Sequence, residues 1–185
     1  MPIGAVPGAA RQRSEPGRPE ESEIRPETFP HRIRRAEPDD ATACVAVAEA
    51  LPDSFTESGV AELRRDLGED RVTVAEAGGD VVGFVVTRRK SPSVAEIRWL
   101  AVARPFQRSG IGSSLLRRAE LDAAAAGARL LEVKTLDASA PSAEYEVARG
   151  FYEKRGFELL ETIDPFPGWE PGNPCAIYVK VVDPR

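Results

Sequence analysis

Two glycines, Gly110 and Gly112, sit where a strand-like run turns into a helix-like one: Ala95-Glu96-Ile97-Arg98-Trp99-Leu100-Ala101-Val102-Ala103-Arg104-Pro105-Phe106-Gln107-Arg108-Ser109-Gly110-Ile111-Gly112-Ser113. The first turn of a helix carries unpaired backbone N–H groups and a partial positive charge, which together can hold a pyrophosphate. Glycine suits such a loop because a Cβ would keep the anion off the backbone. Arg108 can add a charge-assisted bond. A P-loop requires Lys-Ser/Thr after its last glycine, but Ser113-Ser114 follows Gly112 here, so that reading fails. A dinucleotide fingerprint requires a third glycine where Leu115 stands, and it normally opens a domain. A turn whose glycines are only hinges fits the same residues.

The surrounding pattern says what positions this turn. Arg32-Ile33-Arg34-Arg35-Ala36 alternates weakly as a first strand, and Asp39 or Asp40 can cap a helix through Ala41–Ala48. A second helix fits Glu57–Leu67, with Val60, Leu63 and Leu67 on one stripe. Arg71–Glu76 and Asp80–Arg88 are β-rich, and Gly78-Gly79-Asp80 between them is hairpin chemistry. Ser93–Ala103 adds a third antiparallel strand. The order then changes to alternation: a helix Gly110–Gly127, a strand Arg129–Thr135, a helix Glu144–Arg155 stopped by Gly156, and strands Phe157–Ile163 and Cys175–Val182. The expectation is an α/β domain of mixed α+β character, with a mixed sheet of six to seven strands and about four helices.

With 185 residues, 42% hydrophobic and 30% charged, the chain has room for one domain with a real core. A net charge of −5 supplies no broad positive field, which argues against a nucleic-acid partner. Cys44, Cys175 and the single histidine, His31, lie too far apart for a zinc site or a disulfide framework, so no metal is expected. Apolar runs such as Val81–Val86 are too short to span a bilayer, and no signal-type stretch opens the chain; the expected location is cytoplasmic, with no membrane partner. Residues 1–30 are rich in Pro, Gly, Arg and Glu, poor in large apolar groups, and are expected to be a disordered tail ahead of a domain over 31–185.

The turn resembles the acetyl-CoA signature of the GNAT superfamily of N-acetyltransferases, Gln/Arg-x-x-Gly-x-Gly/Ala, met here by Gln107, Gly110 and Gly112 after Leu100-Ala101-Val102. The order of elements from about His31 to Val182 resembles that superfamily too. The resemblance implies a GNAT fold, acetyl-CoA as cosubstrate, and a small-molecule or protein amine as acceptor, in a monomer or homodimer. It implies that Arg108, Ser109, Gly110, Ile111, Gly112 and Ser113 face the pyrophosphate. It also implies that Leu100, Ala101 and Val102 run beside the pantetheine arm, with Leu100 and Val102 offering backbone groups.

Acetyl transfer needs an amine that has lost its proton, donors for an oxyanion, and an acid for the departing thiolate. Direct attack without an acyl-enzyme is the simpler course, because no Cys-His or Ser-His pair has a plausible context, the sole histidine, His31, lying beside the tail. Tyr152, in Phe151-Tyr152-Glu153-Lys154-Arg155-Gly156-Phe157, matches the family segment whose tyrosine protonates the sulfur; a core aromatic fits the same position. Glu96 stands eleven residues before Gln107, where the histone-acetylating branch carries its base; on a mostly apolar strand its carboxyl would be shifted upward. A solvated or ion-paired surface carboxylate fits it equally. Many members carry asparagine seven residues before the tyrosine, at the cosubstrate, whereas Tyr145 stands there in this chain; it can hydrogen-bond to the cosubstrate instead, and simple packing fits the same position. The Pro52–Phe55 segment and the loop 164–174 are expected to wall the acceptor side, although Phe166 and Trp169 fit equally as caps on the core. Two other functions fit the sequence: a non-catalytic acyl-CoA-binding sensor, and an interaction domain without cofactor.

Overall fold

β-Branched runs separated by tight turns build the first half of the sheet. In the computed structural model, which describes residues 30–182, β1 (Arg32–Arg35), β2 (Arg71–Ala77), β3 (Asp80–Ser91) and β4 (Val94–Val102) pair antiparallel in succession. Gly78 and Gly79 take φ of 63° and 95° in the β2–β3 turn, a region that costs a glycine nothing. Helices α1 (Asp40–Glu49) and α2 (Glu57–Glu69) connect β1 to β2. After β4 come α3 (Ile111–Ala125), β5 (Leu130–Leu136), α4 (Ala143–Glu153), β6 (Glu158–Ile163) and β7 (Cys175–Val181).

The sheet order is β1-β2-β3-β4-β5-β7-β6, with β4 and β5 parallel and the other pairs antiparallel. This is the expected mixed sheet, with seven strands and four helices among the described residues. The expected tail lies outside those residues, apart from Pro30.

Each face of the sheet buries its own core. Ile111, Leu115, Leu116 and Ala119 of α3 and Tyr152 of α4 pack on Ile97, Leu100, Leu131 and Val133. On the other face Val45, Leu51, Phe55 and Leu63 pack on Val74, Phe84, Val86, Trp99 and Ala101. Fully burying one such side chain contributes about 1.5–3 kcal/mol. The start of α1 differs from expectation. Asp39 makes no capping bond, and Asp40 accepts the Glu37 N–H at 2.7 Å while bridging Arg34 at 2.6 and 2.9 Å.

One irregularity shapes everything that follows. β4 and β5 pair only over Val94–Ile97 and Leu130–Val133. At the same level β4 carries a bulge, because Val86 pairs Trp99 and Thr87 pairs Ile97, leaving Arg98 extra. A bulge bends and twists its strand. Beyond it β4 and β5 part, and a gap opens in the sheet.

Candidate functional site

From Arg98 to Val102, β4 has a strand on one side only. The Ala103 N–H donates to Val82 O at 2.8 Å, so Ala103 and, by alternation, Ala101 turn their backbone groups toward β3. Leu100 and Val102 turn theirs into the gap. Gln107 folds back here, its Nε2 donating to Val102 O at 2.9 Å, which ties the loop to the strand end. Of the three strand residues expected at the cosubstrate, Leu100 and Val102 therefore border the gap. Ala101 does not: its backbone faces β3 and its side chain lies in the α1/α2 core.

The loop after β4 makes one 3₁₀ turn at Arg104–Phe106 and is then held by Ser109 Oγ, which donates to Phe106 O at 2.6 Å. Two residues are left-handed, Arg108 at φ 64° and Gly110 at 93°. For an arginine this conformation is uncommon and strained, a feature that clusters at ligand-binding turns. The first helical bond runs from Ser114 N–H to Gly110 O at 3.0 Å. Among the described residues no backbone N–H from Arg108 through Ser113 donates to another backbone group. These six amides lie at the positive end of α3 and are open to an anion, as in a backbone nest.

A second helix end braces the nest. A Cβ on Gly112 would touch the Phe151 ring at 3.4 Å, so any side chain longer than a methyl would meet that ring of α4. Arg155 stacks on that ring at 3.7 Å, donates to Phe151 O at 2.7 Å, and bonds Ser113 Oγ at 2.5 and 3.2 Å. His31 Nε2 lies 2.9 Å from Ser114 Oγ, so the sole histidine, expected to lie beside the tail, rests on α3 instead.

Tyr152 owes its position to the end of α4. Gly156, at φ 81°, accepts the left-handed turn; its N–H bonds Glu153 O, and the Phe157 N–H bonds Tyr152 O at 3.1 Å. This is the six-to-one and five-to-two pattern of a glycine C-cap, which brings the residue after glycine against the last full turn. Accordingly the Phe157 and Tyr152 rings meet edge-on at 5.3 Å, and Phe151 meets Tyr152 at 5.1 Å. Tyr152 is fully buried, its Oη has no hydrogen-bond partner, and burial, only partly opposed by Arg155, raises its pKa above the ordinary phenol value. Tyr145 and Ala148 share its buried face, as their spacing predicts.

Glu96 occupies the opposite face, where the expected apolar surroundings are corrected. It is buried, ion-paired with Lys134 of β5, and 3.8 Å from Arg98. Lys134 also bonds Glu132 at 2.9 Å, and Lys90 bonds Glu132 at 2.7 Å. Arg98 and Arg88 reach Asp66 at 3.1 and 2.8 Å, and Trp99 Nε1 donates to the same carboxylate at 2.6 Å. Burial alone would lower Lys134, but its bonds and charge contacts with Glu96 and then Glu132 keep it above the ordinary lysine value. Burial likewise works to raise Glu132, yet bonds from Lys90 and Lys134 hold it below the usual carboxylate range.

Phe166 lies 5.9 Å from Lys134 Nζ and meets Trp169 at 5.3 Å, which brings the 164–174 loop over this charged end. A separate hollow of about 230 Å³ opens between Leu51, Ser54, Gln107, Glu144 and Val147. It joins the Pro52–Phe55 segment, the glycine turn and the head of α4. Sequence reasoning missed Lys134 and Arg155. The alternation Glu132-Val133-Lys134 was the available signal for the first; the second depends on how two helices meet.

A family model described as an acetyltransferase (GNAT) domain matches residues 68–159. Among solved structures the chain is similar to a GNAT-family acetyltransferase from Desulfovibrio desulfuricans, at 25% identity over 83% of this chain and 99% of that one, with a TM-score of 0.73. It is also similar to the ribosomal-protein-S18-alanine N-acetyltransferase of Escherichia coli, at 19% identity over 83% and 94% of the two chains and a TM-score of 0.65. A GNAT acetyltransferase from Elizabethkingia anophelis with acetyl-CoA bound aligns at 20% identity, 82% and 97% coverage, and a TM-score of 0.60. At such identities the last two establish likeness of fold. No curated protein sequence matches the chain.

Proposed function

The chain belongs to the GNAT acetyltransferases, and from that premise we propose that it moves an acetyl group from acetyl-CoA directly onto a primary amine of a small molecule or protein. The observation that carries this reading is the nest of six amides, Arg108–Ser113, at the head of α3 and beside the β4–β5 gap. A long anionic ligand fits both features together: its phosphates on the nest, its arm along the backbone of Leu100 and Val102. Gln107 braces the loop, and Tyr145 lies buried on the face of α4 that also carries Tyr152.

When bound, acetyl-CoA supplies a thioester-activated acetyl group. Tyr152 holds a proton at Oη, which burial keeps in place across the working pH range, and donates it toward the departing sulfur. Glu96 is the proposed acceptor of the amine's proton, directly or through a water, with Lys134 fixing its carboxylate. Direct attack is supported by the two cysteines. Both are buried and pushed up to about 12, chiefly by burial, so neither offers a thiolate for an acyl-enzyme. Two such free thiols also support the cytoplasm as the proposed compartment. Among the described residues no helix is long and apolar enough to cross a membrane.

The test pairs binding with turnover. Acetyl-CoA at a hundred times its dissociation constant should stabilise the protein by ~2.7 kcal/mol, and an amine panel should release CoA thiol in sustained turnover. Stabilisation without release would instead indicate a sensor. Neither effect would remove the acetyl-CoA reading.

A further inference from the structure

Two buried side-chain polar atoms among the described residues lack a hydrogen-bond partner: Tyr152 Oη and Thr135 Oγ1. The first has a place in the proposed chemistry; the second has none. Thr135 is fully buried near the end of β5. Strand alternation puts it on the same face as Leu131 and Val133, which belong to the core under α3 and α4 together with Tyr152. Its β7 partner Ala176 and the neighbouring Tyr178 lie in that core as well.

α4 is pinned above this position at two points. Arg149 donates to Leu136 O at 2.7 Å, and the Tyr178 hydroxyl donates to Glu153 at 2.9 Å. On its other side Thr135 lies two residues past Val133, the last residue of β5 that pairs with β4. It therefore stands on the β5 bank of the gap whose β4 bank is formed by Leu100 and Val102. A valine of nearly the same shape would fill the site without burying a hydroxyl, and an unmade buried hydrogen bond is destabilising. A ligand lying in the gap would supply the missing partner.

We propose that Thr135 is a binding residue for the acyl-pantetheine arm, its hydroxyl donating to a carbonyl of that arm on the β5 side of the gap. This rests on the acetyl-CoA reading above. No bond is made or broken by Thr135; it orients the arm so that the sulfur end lies toward the second orphan hydroxyl, on Tyr152.

The experiment compares wild type, Thr135→Val and Thr135→Ser, using calorimetric titration with CoA and with acetyl-CoA, and thermal melts of each free protein. Thr135→Val should bind both ligands about three- to tenfold more weakly, the loss of one hydrogen bond. Free Thr135→Val should melt at the wild-type temperature or above it, and Thr135→Ser should recover most of the affinity. Wild-type affinity in Thr135→Val would overturn the proposal while leaving the acetyl-CoA reading intact. A lower melting temperature for free Thr135→Val would overturn it too, by revealing a partner within the free protein. Wild type that binds neither ligand would overturn both.

Discussion

The two faces of the sheet at the β4–β5 gap are built on opposite terms. Under α3 and α4 the lining is mostly apolar, and two of its buried hydroxyls, on Thr135 and Tyr152, have no hydrogen-bond partner. Across the sheet charges interlock: Lys90, Glu132, Lys134, Glu96, Arg98, Asp66 of α2 and Arg88 form a continuous chain of ion pairs. An unmet hydrogen bond in a dry layer marks a place completed by something else. A met one marks structure, or a group whose state is tightly controlled. The side proposed for the cosubstrate thus holds unmet groups in the free protein, whereas Glu96, the proposed base on the other side, is already engaged.

That contrast can be broken in several places. The largest effect is expected at Gly112→Leu, where a side chain forced between the amide nest and Phe151 should weaken acetyl-CoA binding about 100-fold, ~2.7 kcal/mol. Calorimetric titration reads it directly. Next comes Tyr152→Phe, which should lower kcat by about 10²-fold or more while the free protein melts no lower, because the lost hydroxyl had no partner. A fall in stability with kcat unchanged would make Tyr152 a packing residue.

Glu96→Gln sharpens the comparison from the charged side. A base should show a loss of kcat greater than about tenfold. A smaller loss would leave Glu96 as the partner of Lys134 and nothing more. The smallest effect concerns Glu132. Because its folded pKa is depressed, its stabilising contribution is present above the unfolded carboxylate value of about 4.3 and is lost as pH falls through the folded value. The stability difference between wild type and Lys90→Met, from urea melts, should therefore be constant near neutrality and shrink below about pH 4. A difference that persists undiminished at pH 3 would show that Lys90 contributes by packing its stem.

Much of the architecture was legible because the local signals agreed with one another. Gly78-Gly79 announced the hairpin, Gly156 the end of α4, and the spacing of Ile111, Leu115 and Ala119 the buried stripe of α3. The glycine turn was legible for the same reason: its chemistry is local and sequential. The surroundings of Glu96 were not. They come from Lys134, thirty-eight residues away and carried in by a parallel pairing that leaves no short-range mark. Thr135 was invisible for a related reason. Strand propensity welcomes threonine, and only packing reveals that its hydroxyl has nothing to bond.

The central claim is that six backbone N–H groups at the head of α3 are held open for a phosphate-bearing ligand. Amide NMR of the ¹⁵N-labelled protein tests this most directly, through titration with acetyl-CoA. The account predicts saturable shifts concentrated at Arg108 through Ser113, followed by residues along Leu100–Val102 and Thr135. Acetyl-CoA that leaves the Arg108–Ser113 amides unmoved, or that shifts only residues elsewhere, would contradict it.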